Sequence, residues 1–199
     1  MLKKDQVNTR EFLPQILLIS GSGRNCGKTS LACEIIESIS KRKTVIALKI
    51  SPHFHQLSKQ QELLFNNNKF KIYRETDSAS GKDSSRMLKA GASVSLYLQC
   101  EDENLAEAWE KMNKFLPEKC AVVCESGSLA KFFKPGLHLL VEGENPDKMK
   151  RSYLKNRELS DRKVHFDGHR FNLNISDILF TGKQWELKEK QDDQIRRSA

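Results

Sequence analysis

Gly21-Ser-Gly-Arg-Asn-Cys-Gly-Lys-Thr-Ser30 is a glycine-rich stretch set between two apolar segments. Before it, Gln15 to Ser20 (QILLIS) is a short apolar run, the pattern of a strand buried on both faces. After it, Leu31, Ile35, Ile36 and Ile39 recur at helical spacing. Thr44 to Ile50 (TVIALKI) reads as a second buried strand. Strand, glycine loop, helix and strand make a βαβ unit, whose crossover is right-handed. In such a loop successive backbone N–H groups turn inward and bind phosphate oxygens, and the helix N-terminus adds about half a positive charge. Lys28 is placed to reach the β- and γ-phosphates, and Thr29 to offer its hydroxyl to Mg²⁺. The expected nucleotide-binding residues are Gly21, Gly23, Arg24, Asn25, Cys26, Gly27, Lys28, Thr29 and Ser30. The common spacing, GxxxxGK[ST], puts a glycine at position 22, where this chain has Ser22. The loop is therefore either one residue longer or uses Gly23 differently.

Working outward, residues 1–14 are polar, end at Pro14 and read as a flexible N-terminal arm. The stretch from Pro52 to Lys71 is polar, with a short helix expected around 60–65. Residues 56–76 are expected to be the most mobile part of the chain and to order over a ligand. Helices are expected at 82–90, 105–115 and 145–159, and strands at 93–100, 120–124 and 137–142. Short strands or a hairpin follow from 163, and residues 183–199 read as a charged C-terminal tail. The expected nucleotide-binding domain is 15–182. Its class is α/β, a P-loop NTPase-like three-layer sandwich with a mainly parallel central sheet.

A phosphate loop of this kind works with an acid at the end of a neighbouring strand. Glu125, directly after the apolar run CAVVC, is the candidate to hold Mg²⁺ together with Thr29. Two further patches combine cations with small or polar residues near strand or helix ends. Lys49, His53 and His55 follow the second strand, and Asp77, Lys82, Asp83 and Arg86 precede or open a helix. Together they are expected to form a second anion site. The bland alternative is a solvated surface with a capped helix start.

Composition narrows the partners. Apolar residues are 38% and charged residues 30% of the 199, the range of a folded globular domain. No apolar run approaches the roughly 20 residues of a membrane span. No signal-peptide core precedes Ile16, so a cytoplasmic location is expected. The net charge of +8 suits polyanions, but no basic–aromatic platform speaks for nucleic acid. The cysteines at 26, 33, 100, 120 and 124 form no CxxC pair.

Three stretches resemble the molybdopterin-guanine dinucleotide biosynthesis protein B family of P-loop GTP-binding proteins. They are the loop with Asn25, Cys26 and Gly27-Lys28-Thr29; Ala47-Leu48-Lys49 followed by His53-Phe54-His55; and GKDSSRMLKAGAS from Gly81 to Ser93. Glu125 stands where that family has a Glu-Gly pair, with Ser126 intervening before Gly127. The resemblance covers roughly 15–150. It implies GTP as the nucleotide and a homodimer. It further implies an accessory role in molybdenum-cofactor biosynthesis beside molybdopterin and its guanylyltransferase, with slow intrinsic hydrolysis. Two other readings stand beside it. One is an ATP-dependent small-molecule kinase or dethiobiotin-synthetase-like ligase, and the other is a regulatory nucleotide-binding module.

Overall fold

The computed structural model describes residues 10–54, 61–143 and 151–188. Within these residues ten strands lie at Glu11–Gly21 (β1), Val45–Ser51 (β2), Gln61–Asn66 (β3), Phe70–Glu75 (β4), Val94–Cys100 (β5), Ala121–Glu125 (β6), Phe133–Glu142 (β7), Arg162–His165 (β8), Ile178–Phe180 (β9) and Trp185–Leu187 (β10). Among the described residues four α-helices lie at Lys28–Ser40 (α1), Asp83–Lys89 (α2), Leu105–Asn113 (α3) and Arg151–Leu159 (α4). Eight strands form one sheet in the order β3-β4-β5-β2-β6-β1-β7-β8, and β9 and β10 form a small antiparallel pair. From β5 to β8 every neighbouring pair is parallel, whereas the β3–β4 and β4–β5 pairs are antiparallel. The fold is α/β, built on a large, mostly parallel central sheet.

The apolar runs read as strands are buried on both faces, as parallel sheets require. In β1, Ile16 and Leu18 join one core with Trp109 and Met112 of α3. Leu17 and Ile19 join the other core with Leu31, Ile35 and Ile36 of α1 and Met87 of α2. The period of two sends alternate side chains to opposite layers. All five residues of β6 are buried, which explains why CAVVCE carries no polar alternation.

Several expected boundaries move. Residues 11–14 are not a loose arm: they open β1 and pair with β7, beyond a register shift between Leu13 and Leu17. At that shift the Pro14 carbonyl comes so close to Gly136 that a Cβ there would lie 2.2 Å from the oxygen. The helix expected near 60–65 is instead strand β3. It turns through Asn67, whose side-chain oxygen accepts from the Lys69 and Phe70 N–H groups. Residues 61–75 are thus a hairpin on the sheet edge rather than a free lid, while 55–60 lie outside the described residues. The expected tail also contributes structure. Trp185 is buried against Phe180, and its indole N–H donates to the Gln15 carbonyl at 2.8 Å. The helix expected over 145–159 is described from Arg151, and 144–150 lie outside the described residues.

Candidate functional site

The carboxyl ends of β1, β2, β5 and β6 open into a cleft of about 1050 Å³. The glycine loop forms one wall. Asn25 and Gly27 both take left-handed backbone conformations, with φ of 59° and 96°. Gly27 is the N-cap of α1, and no side chain caps the first turn. The leading N–H groups of this 13-residue helix therefore have no intrahelical acceptor. A side chain at position 27 would be strained and would meet the Phe166 ring at 2.7 Å.

Ser22 answers the spacing question raised by the missing glycine. It is buried, its N–H donates to the Val141 carbonyl at 2.9 Å, and its hydroxyl accepts from the Gly143 N–H at 3.3 Å. Ser22 thus stitches the loop to the end of β7. Lys28 Nζ donates to the Gly23 carbonyl at 2.5 Å, and the Cys26 thiol donates to the same oxygen at 3.3 Å. Cys26 is buried and braces the loop from inside, while the other predicted loop residues line the cleft.

A compact polar cluster faces the loop. The Thr29 hydroxyl lies 2.7 Å from Glu125 Oε2 and 3.0 Å from Asp83 Oδ1. Having one proton, it donates to one of the two at a time. Lys49 Nζ contacts Glu125 Oε1 at 2.5 Å and Asp83 Oδ2 at 2.9 Å. Glu125 is only 2% exposed. Burial works against the Lys49 charge, but the Glu125 and Asp83 carboxylates outweigh it, and the lysine pKa stands above its ordinary value. Burial also works against the Asp83 charge, but Lys49 and the Thr29 hydroxyl prevail and hold that carboxyl below its ordinary value.

Asp83 is positioned by the serines around it. The buried Glu75 accepts from the Ser84 hydroxyl at 2.7 Å, and from the backbone N–H groups of Thr76 and Asp77. The Ser95 hydroxyl donates to the Ser84 carbonyl, and the Ser80 N–H donates to Ser85 Oγ. The small residues of GKDSS therefore pack α2 onto the sheet and leave Asp83 pointing at Thr29. Arg86, one turn further along α2, donates to Ser30 Oγ at 3.2 Å.

The seven residues expected at a second anion site divide. Lys49, His53, Lys82, Asp83 and Arg86 line the cleft. Lys49 is not an open anion receptor, because its ammonium is engaged by two carboxylates. Asp83 belongs with Thr29 and Glu125 instead. Asp77 stands apart from the cleft lining, its carboxylate accepting from the Ala79 N–H at 2.7 Å. His55 lies outside the described residues. The sequence reading missed Tyr97, Gln99, Lys131 and Phe166, which also line the cleft. They carry no local motif and converge only through the strand order.

Chemically, the site offers uncapped backbone donors, a lysine and an arginine beside two carboxylates and a hydroxyl. Such a set can hold a polyanion together with a hard cation. Among the described residues no group of three or more His, Cys, Asp and Glu side chains forms a metal cluster. No helix among them is long and apolar enough to cross a membrane. No protein family, curated protein or solved structure matches this chain.

Proposed function

We propose that this chain is a P-loop NTPase-like three-layer sandwich that binds a Mg²⁺–nucleoside triphosphate, with GTP as the expected nucleotide. The observation that carries the reading is the Thr29 hydroxyl, 2.7 Å from the buried Glu125 carboxylate, directly after Lys28 at the uncapped start of α1. The donor set suits Mg²⁺, which takes oxygen ligands, keeps several waters and is held by one or two carboxylates with substrate phosphates. Thr29, Glu125 and Asp83 would hold the ion. Bound there, it would neutralise phosphate charge. The α1 N–H groups and Lys28 bind the phosphate chain, and Arg86 adds a cation beside Ser30.

The resemblance of the loop, of Lys49 with its histidines, and of Gly81 to Ser93 favours an accessory role in molybdenum-cofactor biosynthesis. The protein would then act in the cytoplasm, as a homodimer, beside molybdopterin and its guanylyltransferase, with slow hydrolysis. A second reading is ATP-dependent phosphoryl transfer to a small molecule. It is favoured by the reach of the cleft past the loop to Gln99 and Lys131, which leaves room for another ligand.

Titration with Mg–GTP and Mg–ATP tests nucleotide binding. Guanylylation of molybdopterin by its transferase, with and without this protein, tests the role. Stimulation there is the expected result. No stimulation, together with phosphate transfer from ATP to a metabolite panel, would replace it with the kinase or ligase reading. Silence in both assays, with binding intact, would leave a regulatory module.

A further inference from the structure

The cleft has two chemically different ends. At one, Glu125 and Asp83 converge on Thr29, with Lys49 paired to both carboxylates. At the other, the ends of β7 and β8 close on the glycine loop, and the wall there is aromatic. The Phe166 N–H donates to the Glu142 carbonyl at 2.9 Å, while the neighbouring Gly143 N–H donates to Ser22 within the loop. Phe166 is thereby fixed to the loop through the end of β7. Its ring lines the cleft and lies so close to Gly27 that only glycine fits there. Behind it, Phe171 stacks on Phe166 with ring centroids 4.6 Å apart. The turn between the two rings is organised by Asp167, whose Oδ1 accepts from the His169 and Arg170 N–H groups at 2.8 and 2.7 Å.

We propose that Phe166, backed by Phe171, is the wall against which the heterocyclic base of the bound nucleotide lies. This rests on the nucleotide-binding reading above. The argument is directional. A phosphate chain lying along the loop places its terminal phosphate toward the carboxylates that would hold the cation at Thr29. Its other end, carrying sugar and base, leaves away from that cluster, toward β7 and β8. A base needs a planar apolar surface, and aromatic side chains supply one with little dependence on which base it is. Phe166 supplies that surface next to the loop. Affinity for the base therefore comes from a hairpin that contributes nothing to the phosphates.

Calorimetric titration of the full chain with Mg–GTP, Mg–ATP and Mg–tripolyphosphate tests this. Three proteins are compared: the unaltered protein, Phe166→Leu, which keeps apolar bulk against Gly27, and Phe166→Tyr, which keeps the ring. The expected result is a loss of about tenfold for both nucleotides in Phe166→Leu, with tripolyphosphate unchanged, and near-normal binding in Phe166→Tyr. An equal loss for tripolyphosphate would overturn the proposal, because the ring would then only shape the loop. Unchanged nucleotide affinity in Phe166→Leu would overturn it as well. If the unaltered protein binds neither nucleotide nor tripolyphosphate, the nucleotide reading itself fails, and the base wall fails with it.

Discussion

The ammonium of Lys49 and the carboxylate of Glu125 meet at 2.5 Å, with Glu125 only 2% exposed. The two residues lie near the carboxyl ends of adjacent parallel strands and are direct partners in the β2–β6 register. Lys49 is thus the counter-charge that lets a carboxylate be buried at the floor of the cleft. Lys49→Met strands that carboxylate and is expected to cost about 3 kcal/mol of stability. Lys49→Met combined with Glu125→Gln removes both charges and is expected to cost less than the sum of the single changes. Urea unfolding of the four proteins measures the coupling. Strictly additive costs would show that the pair does not act as a unit.

Lys28 is peripheral to the apolar core, and among the described residues its side-chain hydrogen bonds go to the loop itself. Lys28→Ala is expected to lower Mg–GTP affinity about 100-fold, the loss of strong charge-assisted contacts to phosphate, with the fold retained. Calorimetry beside circular dichroism checks both halves. A folded variant with unaltered affinity would remove the phosphate-loop assignment.

Thr29→Ala and Glu125→Gln are expected to act on the cation. Both should weaken triphosphate binding in the presence of Mg²⁺ more than diphosphate binding without it. Titration at several Mg²⁺ concentrations gives the comparison. If Glu125→Gln leaves the Mg²⁺ dependence unaltered, Glu125 serves only as the partner of Lys49.

His138 is wholly buried in β7, accepting from the Ser20 hydroxyl at 2.7 Å while its Nδ1–H donates to the Leu159 carbonyl at 3.1 Å. Burial pulls its pKa down from 6.5 to about 4, against the raising influence of the Leu159 carbonyl and Asp161. Between those values the unfolded chain binds a proton that the folded chain refuses. Stability therefore rises with pH across that window and falls on acidification from about 6.5 to about 4, by about 3 kcal/mol in all. Urea unfolding from pH 7 to pH 4 should show this slope, and His138→Gln should flatten it. An unchanged slope in the variant would assign the acid sensitivity to other groups.

Trp185 joins the far end of the chain to β1 through Gln15. Trp185→Ala is expected to destabilise the protein by about 3 kcal/mol. Truncation after Gly182, which removes β10, should cost at least as much. Unfolding midpoints measure both, and a truncated chain of unchanged stability would mean that the C-terminal strand is dispensable.

The central sheet was legible because its inner strands are nearly continuous apolar runs, ended by glycine, an acid or Ser-Pro. QILLIS, TVIALKI and CAVVCE announce themselves in this way. The β3–β4 hairpin did not, because β3 is an edge strand with Leu63 exposed and a polar neighbour at most positions. The Asn66 to Asn68 run closes β3 and leads into its turn. Trp185 was obscured by the charges around it, since one large side chain inserted in a core leaves no periodic signal. At the site, the loop residues and Glu125 were readable from local context. Asp83 was seen, but as part of an anion site, because nothing along the chain says that it meets Thr29. Phe166 had no signal at all, as only the packing of β8 beside β7 brings it to Gly27.

The position of β1 has a consequence for biosynthesis. Its two neighbours are β6 and β7, so among the described residues the strand that carries the loop pairs with nothing made before Ala121. While β2 to β5 are emerging, the β1–α1 segment is an apolar strand and helix without a sheet to join. Thr29 waits for Glu125 across 96 positions. Pairing of this kind is slow, because loop closure precedes any compensating contact, and the waiting strand is exposed to misassociation. Products ending before β6 therefore lack both Glu125 and the sheet partners of β1, and have no formed site.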